Sequence, residues 1–93
     1  MSKKLLTPQK ALGLRIKEIR AEKSITQEEL AERTGLFRTY MSRIEAGLAN
    51  PTLTVLHTLA NSLEVPIAEL FVLAQTQPRR VNSIQPISRG RVR

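Results

Sequence analysis

The chain contains no cysteine, no tryptophan and no aspartate. Without cysteine, disulfide frameworks, thiol nucleophiles and thiolate zinc sites are excluded. The absence also fits a reducing compartment, and the cytoplasm is the expected location. The single histidine, His57, lies at the flank of an apolar stripe with no second ligand near it in sequence. It reads as a flank residue, and no metal site is expected. Only three aromatic residues are present, Phe37, Tyr40 and Phe71. That is too few for the stacking platforms that take single strands or RNA. Only Leu5-Leu6 follow Lys3-Lys4 before Thr7-Pro8, which is too short an apolar run for a signal peptide. No stretch approaches the roughly 18 apolar residues of a membrane span, so no membrane association is expected. There is no Gly-rich phosphate loop. Glu28, Glu29 and Glu32 follow a helix cap at helical spacing, where they form a solvated face favoured by the helix dipole. No enzyme activity and no cofactor are expected.

What is abundant is positive charge. Fifteen Lys and Arg face eight Glu, giving a net charge of +7 over 93 residues. The sign favours a polyanion, with nucleic acid first. The excess is unevenly placed: residues 1–74 hold ten basic and eight acidic residues, whereas residues 75–93 hold five Arg and no acid. Most of the net charge therefore lies in the tail, and the domain needs evidence of its own. A chain of this size has room for one small domain with a modest core, which dimerisation would support.

The chain divides into a short arm (1–6), a helical domain (7–74) and a basic tail (75–93). Thr7-Pro8 is a cap followed by a first-turn proline. The helix it opens runs to about Lys23, with Leu12, Ile16 and Ile19 on one face; Leu14 points away from that face. Thr26 and Glu29 have capping-box spacing, and the second helix, with Leu30 and Ala31 inward, stops near Gly35. A third helix covers about Arg38 to Ala46, ended by Gly47, with Asn50-Pro51 beyond it. A fourth begins at Thr52 and carries the stripe Leu53, Leu56, Leu59, Ala60 and Leu63. Pro66 opens a short fifth helix with Ile67, Leu70, Phe71 and Leu73. The tail, rich in Gln, Pro, Ser, Asn and Arg, reads as mostly disordered.

Two short helices joined by the tight turn Thr34-Gly35-Leu36 have helix-turn-helix spacing. At about 100° per residue, Arg38, Thr39, Ser42 and Arg43 share one side of the second of these helices, and Met41 and Ile44 share the other. Met41 and Ile44 anchor that helix on the domain, and the polar four project outward together. A helix fits the major groove of B-DNA, where Arg bonds guanine N7 and O6 and Thr can touch a thymine methyl. These four are the candidate base readers. Leu70, Phe71, Val72 and Leu73 are four consecutive apolar residues, which cannot all face one domain. They are the candidate dimer interface, and a two-fold pair would present its reading helices about 34 Å apart, one turn of DNA.

These features together resemble the Xre family of helix-turn-helix proteins, the group of phage lambda repressor and Cro. The resemblance covers about residues 12–71. It rests on Leu12-Gly13, Arg20, Thr26-Gln27-Glu28-Glu29-Leu30-Ala31, Gly35-Leu36, Ser42-Arg43-Ile44-Glu45, Gly47, Pro51 and the stripe Leu53/Leu56/Leu59/Ala60/Leu63. Arg38-Thr39-Tyr40 with Ser42 and Ile44-Glu45 is also similar to the small controller proteins of restriction–modification systems. The resemblance implies base-reading positions at Arg38, Thr39 and Arg43, with Ser42 and Tyr40 beside them. It implies phosphate contacts from Gln27 and from the backbone around Leu48 to Asn50. It also implies a structural salt bridge between Arg20 and Glu45. Phe37 departs from the pattern, because the family usually caps this helix with Ser, Thr or Asp. Either Phe37 packs as a staple or the helix starts one residue away.

The expected architecture is an all-α, five-helix lambda-repressor-like domain containing a helix-turn-helix, with a basic flexible C-terminal tail. The expected function is a sequence-specific DNA-binding transcriptional regulator, by default a repressor, that binds a near-palindromic operator in double-stranded DNA as a homodimer. The alternative is an antitoxin-type module that masks a toxin and autoregulates its operon, with the tail as the site for that protein partner.

Overall fold

Capping chemistry sets most of the helix boundaries. The structure, a computed structural model, describes residues 6–74. Helix α1 spans Pro8–Glu22, with the Thr7 hydroxyl accepting from the Lys10 N–H and Pro8 in the first turn. Helix α2 spans Gln27–Thr34 and opens on a reciprocal capping box. There the Thr26 hydroxyl accepts from the Glu29 N–H at 3.0 Å, and the Glu29 carboxylate accepts from the Thr26 N–H at 2.8 Å. That backbone bond, ahead of the hydroxyl contact, holds the Glu29 carboxyl below its ordinary pKa. The cap's contribution is therefore present above the ordinary carboxylate pKa and fades as pH falls through the lowered one. Gly35 ends α2 in the left-handed region at φ 76°, which glycine adopts without steric cost. Helices α3 (Arg38–Glu45) and α4 (Leu53–Leu63) follow, the second capped by Thr52.

The last element differs from the expected fifth α-helix. Ile67–Phe71 forms a 3-10 turn. Pro66 supplies no N–H, five residues hardly exceed one helical turn, and the Glu69 N–H reaches back only to the Pro66 carbonyl at 2.9 Å. Four α-helices and this turn make up the described residues, which contain no strand. The arm (apart from Leu6) and the tail at 75–93, with its proposed disorder and protein partner, lie outside the described residues.

The core gathers the expected stripes. Leu12, Ile16 and Ile19 of α1 meet Leu30 and Ala31 of α2, Met41 and Ile44 of α3, and Leu59, Ala60 and Leu63 of α4. Each of the large side chains contributes about 1.5–3 kcal/mol by burial. Ile25, in the α1–α2 loop, and Leu70, in the 3-10 turn, complete the set. Leu53 does not join it and is 67% exposed, because the first residue of α4 precedes the part of the helix that crosses the core. Leu14 is half-buried.

Two arginines of α1 hold the 3-10 turn and α3 to this helix. Arg15 is buried, and its Nε and Nη2 donate to the backbone carbonyl and carboxylate of Glu69 at 2.7 and 2.8 Å. Its Nη1 pairs with Glu18 on the same helix. The 3-10 turn is thereby clamped onto α1. Arg20 grips α3: its Nε and Nη2 donate to the two carboxylate oxygens of Glu45 at 2.6 and 2.8 Å. Glu45 is only 3% exposed. The hydrogen bond to this carboxylate is the foremost cause that raises the Arg20 pKa. Arg20 Nη1 also donates to the Ile25 carbonyl at 2.9 Å, fixing the entry to α2. Ahead of both arginines on α1, Gly13 lets this helix lie against the end of α3. A Cβ there would stand 2.4 Å from the Glu45 carbonyl oxygen and 2.7 Å from that of Ile44.

Gly13→Ala should therefore push α1 and α3 apart and cost about 1–3 kcal/mol, read as a lower urea midpoint. An unchanged midpoint would contradict the close approach. Glu45→Ala leaves the Arg20 guanidinium largely buried without its partner. It should cost about 3–5 kcal/mol, whereas Glu29→Ala at the exposed cap should cost clearly less in the same urea titration.

Candidate nucleic-acid interface

The surface of α3 is divided by its periodicity. Met41 and Ile44 are 0% and 1% exposed, and this anchoring turns Arg38, Thr39, Ser42 and Arg43 to solvent. These four side chains line an open depression of about 410 Å³ together with Gln27, Ala46 and Leu48. Three segments meet there: the start of α2, the outer face of α3 and the loop that follows it. The lining holds two arginines and no carboxylate. Glu45, the nearest acid in sequence, is turned inward and neutralised by Arg20.

Gln27 is held in place by the same buried carboxylate. Its Nε2 donates to Glu45 Oε1 at 3.0 Å. Glu45 thus receives donors from α1 and α2 while belonging to α3. The consequence is that the first side chain of α2 and the outer face of α3 keep a fixed relation. Arg43 is also tied. Its Nη2 donates to the Leu48 carbonyl at 2.7 Å, and the Leu48 N–H donates to the Arg43 carbonyl at 2.8 Å. This reciprocal pair orders the loop after α3 and uses one of the five guanidinium donors.

The other expected site residues fall elsewhere. Tyr40 is half-buried and packs on the core. Asn50 is exposed but lines a different cavity, about 220 Å³ in volume, with Pro8, Leu12, Leu56, Leu70 and Phe71. Of the four candidate dimer residues, Leu70 is 1% exposed and belongs to the core. Phe71, Val72 and Leu73 are 61%, 44% and 67% exposed. Phe37 precedes α3 as its cap residue and makes no side-chain capping bond. At 86% exposed it does not pack as a staple, and α3 starts at Arg38. Among the described residues no group of three His or Glu side chains could hold a metal ion, and no helix is long and apolar enough to cross a membrane.

Comparison with known proteins places this geometry in a family. A helix-turn-helix family model matches residues 16–70. An HTH-type transcriptional regulator of Sinorhizobium fredii is 38% identical over 69 residues, covering 74% of this chain and 90% of that protein. The immunity repressor protein of Bacillus phage phi105 is 39% identical over 59 residues; the match covers 63% of this chain and 41% of the repressor. Among solved structures, the restriction-modification controller protein C.AhdI from Aeromonas hydrophila superposes with a TM-score of 0.66 at 36% identity. That superposition covers 68% of this chain and 96% of the controller. The controller C.Esp1396I, solved as a tetramer on its natural 35 base-pair operator, gives a TM-score of 0.65 at 37% identity, covering 72% of this chain and 88% of that one. With its two short helices, tight turn and outward polar face matched in this way, the chain belongs to the Xre-like helix-turn-helix family of DNA-binding transcriptional regulators.

Proposed function

We propose that this regulator reads a near-palindromic operator as a homodimer, with repression as its default action. The observation that carries the reading is the convergence of Gln27, Arg38, Thr39, Ser42 and Arg43 on one open, carboxylate-free depression. An exposed helix face with two arginines and two hydroxyls matches the donor and acceptor pattern of the major groove. Arg38 and Thr39 stand at the N-terminal end of α3, the end of a recognition helix that meets base edges. Gln27, braced by Glu45, suits a phosphate contact that fixes orientation rather than sequence. Tyr40 and Asn50, the other expected phosphate contacts, lie outside this depression. Lys and Arg elsewhere supply affinity through counterion release.

Dimerisation has support of a different kind. Phe71, Val72 and Leu73 leave a continuous apolar edge exposed, at the end of and just beyond a turn that Arg15 pins to α1. A small domain gains stability by covering such an edge with a second copy. The controller C.Esp1396I, in turn, is an oligomer on its operator.

A duplex enriched from a random pool should bind the full chain about 10³-fold or more tighter than a scramble at about 0.15 M salt, read by fluorescence anisotropy. Arg38→Ala should lose about 1–3 kcal/mol on that duplex and relax preference at one base pair of each half-site. Equal affinity for both duplexes would sink the operator reading. In sedimentation equilibrium the wild type should be dimeric, and Phe71→Ser with Leu73→Ser should shift it to monomer. A wild-type monomer, both free and on the duplex, would refute the dimer.

A further inference from the structure

Phe37 is the most exposed large apolar side chain among the described residues, at 86%. It occupies the cap position of α3, where Ser, Thr or Asp would bond the first-turn N–H groups, and it makes no such bond. Its backbone is extended, at φ −65° and ψ 143°, and its carbonyl accepts from the Met41 N–H at 3.0 Å. The main chain of Phe37 thus starts the helix normally, and only the side chain departs from capping chemistry. Arg38, the next residue, lines the basic depression. An exposed ring therefore stands at the tip of the reading helix, beside an arginine, at a position where a small polar residue would serve the free protein better.

We propose that Phe37 is a specificity-determining residue that packs on the 5-methyl group of a thymine next to the base pair contacted by Arg38. The inference rests on the operator reading above and adds an apolar contact to it. Thymine alone among the four bases presents a methyl group in the major groove, and Phe is one of the side chains suited to meet it. Arg38, the next residue, and the basic depression that it lines with Arg43 favour an anionic partner over an apolar protein surface. The ring's own contact must then be an apolar group carried by that polyanion, and the thymine methyl supplies one. Phe37 excludes nothing by hydrogen bonding, so its selectivity is for the methyl itself. A site with cytosine or uracil at that position loses the contact.

The test uses the full chain and the duplex that a random pool yields at about 0.15 M salt. Each thymine is replaced singly by deoxyuridine, which deletes the methyl and leaves the pairing edge intact. In wild-type protein, one thymine per half-site should lose about fourfold in affinity on replacement, the effect of burying one methyl group. Phe37→Ala should bind the thymine duplex about that much more weakly and show no further loss with uracil. Phe37→Asp, which restores a capping side chain, should melt no lower than wild type yet be equally insensitive to the methyl. This variant separates a DNA contact from a folding defect. A uracil profile identical in wild type and Phe37→Ala would overturn the proposal while leaving the operator reading intact. So would a Phe37→Ala chain that loses affinity equally on every sequence, or one that loses dimerisation without DNA. A pool with no enriched duplex would overturn the operator reading and the role of Phe37 with it.

Discussion

A buried carboxylate organises this domain. Glu45 sits at the C-terminal end of α3, where the helix dipole disfavours a negative charge, and it is 3% exposed. A charge so placed must be paired and hydrogen-bonded. Arg20 supplies two bonds from α1 and Gln27 supplies one from α2. The two helices that line the basic depression, and α1 behind them, are therefore referred to one residue. Gly13 completes the arrangement from the backbone side, since any side chain there would strike the Glu45 carbonyl. Replacing this hub with apolar side chains could preserve stability. What it would lose is the directional link that fixes Gln27 relative to Arg38 and Thr39.

Helix α1 acts as the spine on which two different surfaces are mounted. Arg20 fastens the reading helix, and Arg15, five residues earlier, fastens the 3-10 turn through Glu69. The two arginines lie on one rigid helix, so the basic depression and the apolar edge of Phe71, Val72 and Leu73 keep a constant separation. The two-fold reading proposed above requires that constancy, because the spacing of half-sites is set by protein geometry. The core alone is small, and non-directional burial would tolerate small rotations of short helices. The guanidinium forks restrict those rotations, because a bidentate pair is specific in geometry as well as energy.

The features legible in the sequence are those whose physics is local. Thr7 and Thr26 announced their helices because capping depends on neighbouring residues, and Met41 and Ile44 fell inside because helical period decides which side an eight-residue helix buries. The grouping of Arg38, Thr39, Ser42 and Arg43 followed from the same period. Features set by contacts distant in sequence left no trace in the residue pattern, and the Arg20–Glu45 pair, 25 positions apart, was given only by the family resemblance. Arg15 meets Glu69 across 54 positions, and a burial of that kind leaves no periodic trace. Ile25 belongs to a loop, where no period applies. Leu70 reads like its neighbours Phe71 and Val72, and only the docking of the 3-10 turn on α1 and α4 sends it inward. Leu53 fits the α4 stripe by spacing, yet its helix reaches the core only later. Asn50 is close to Arg43 in sequence, but the loop after α3 carries it to a cavity with Pro8 and Phe71. The bond from Arg43 to the Leu48 carbonyl depends on the same turn geometry.

In the proposed function the folded domain binds DNA through α3, although most of the net charge lies in residues 75–93. The most direct test is a backbone-amide NMR titration of the full chain with an enriched duplex. The largest shift changes should fall on Gln27, Arg38 to Arg43 and the amides of Leu48 to Asn50, saturating at a fixed protein-to-duplex ratio. Changes confined to residues 75–93, with α3 unmoved, would contradict the account and reduce the interaction to polyanion attraction by the tail.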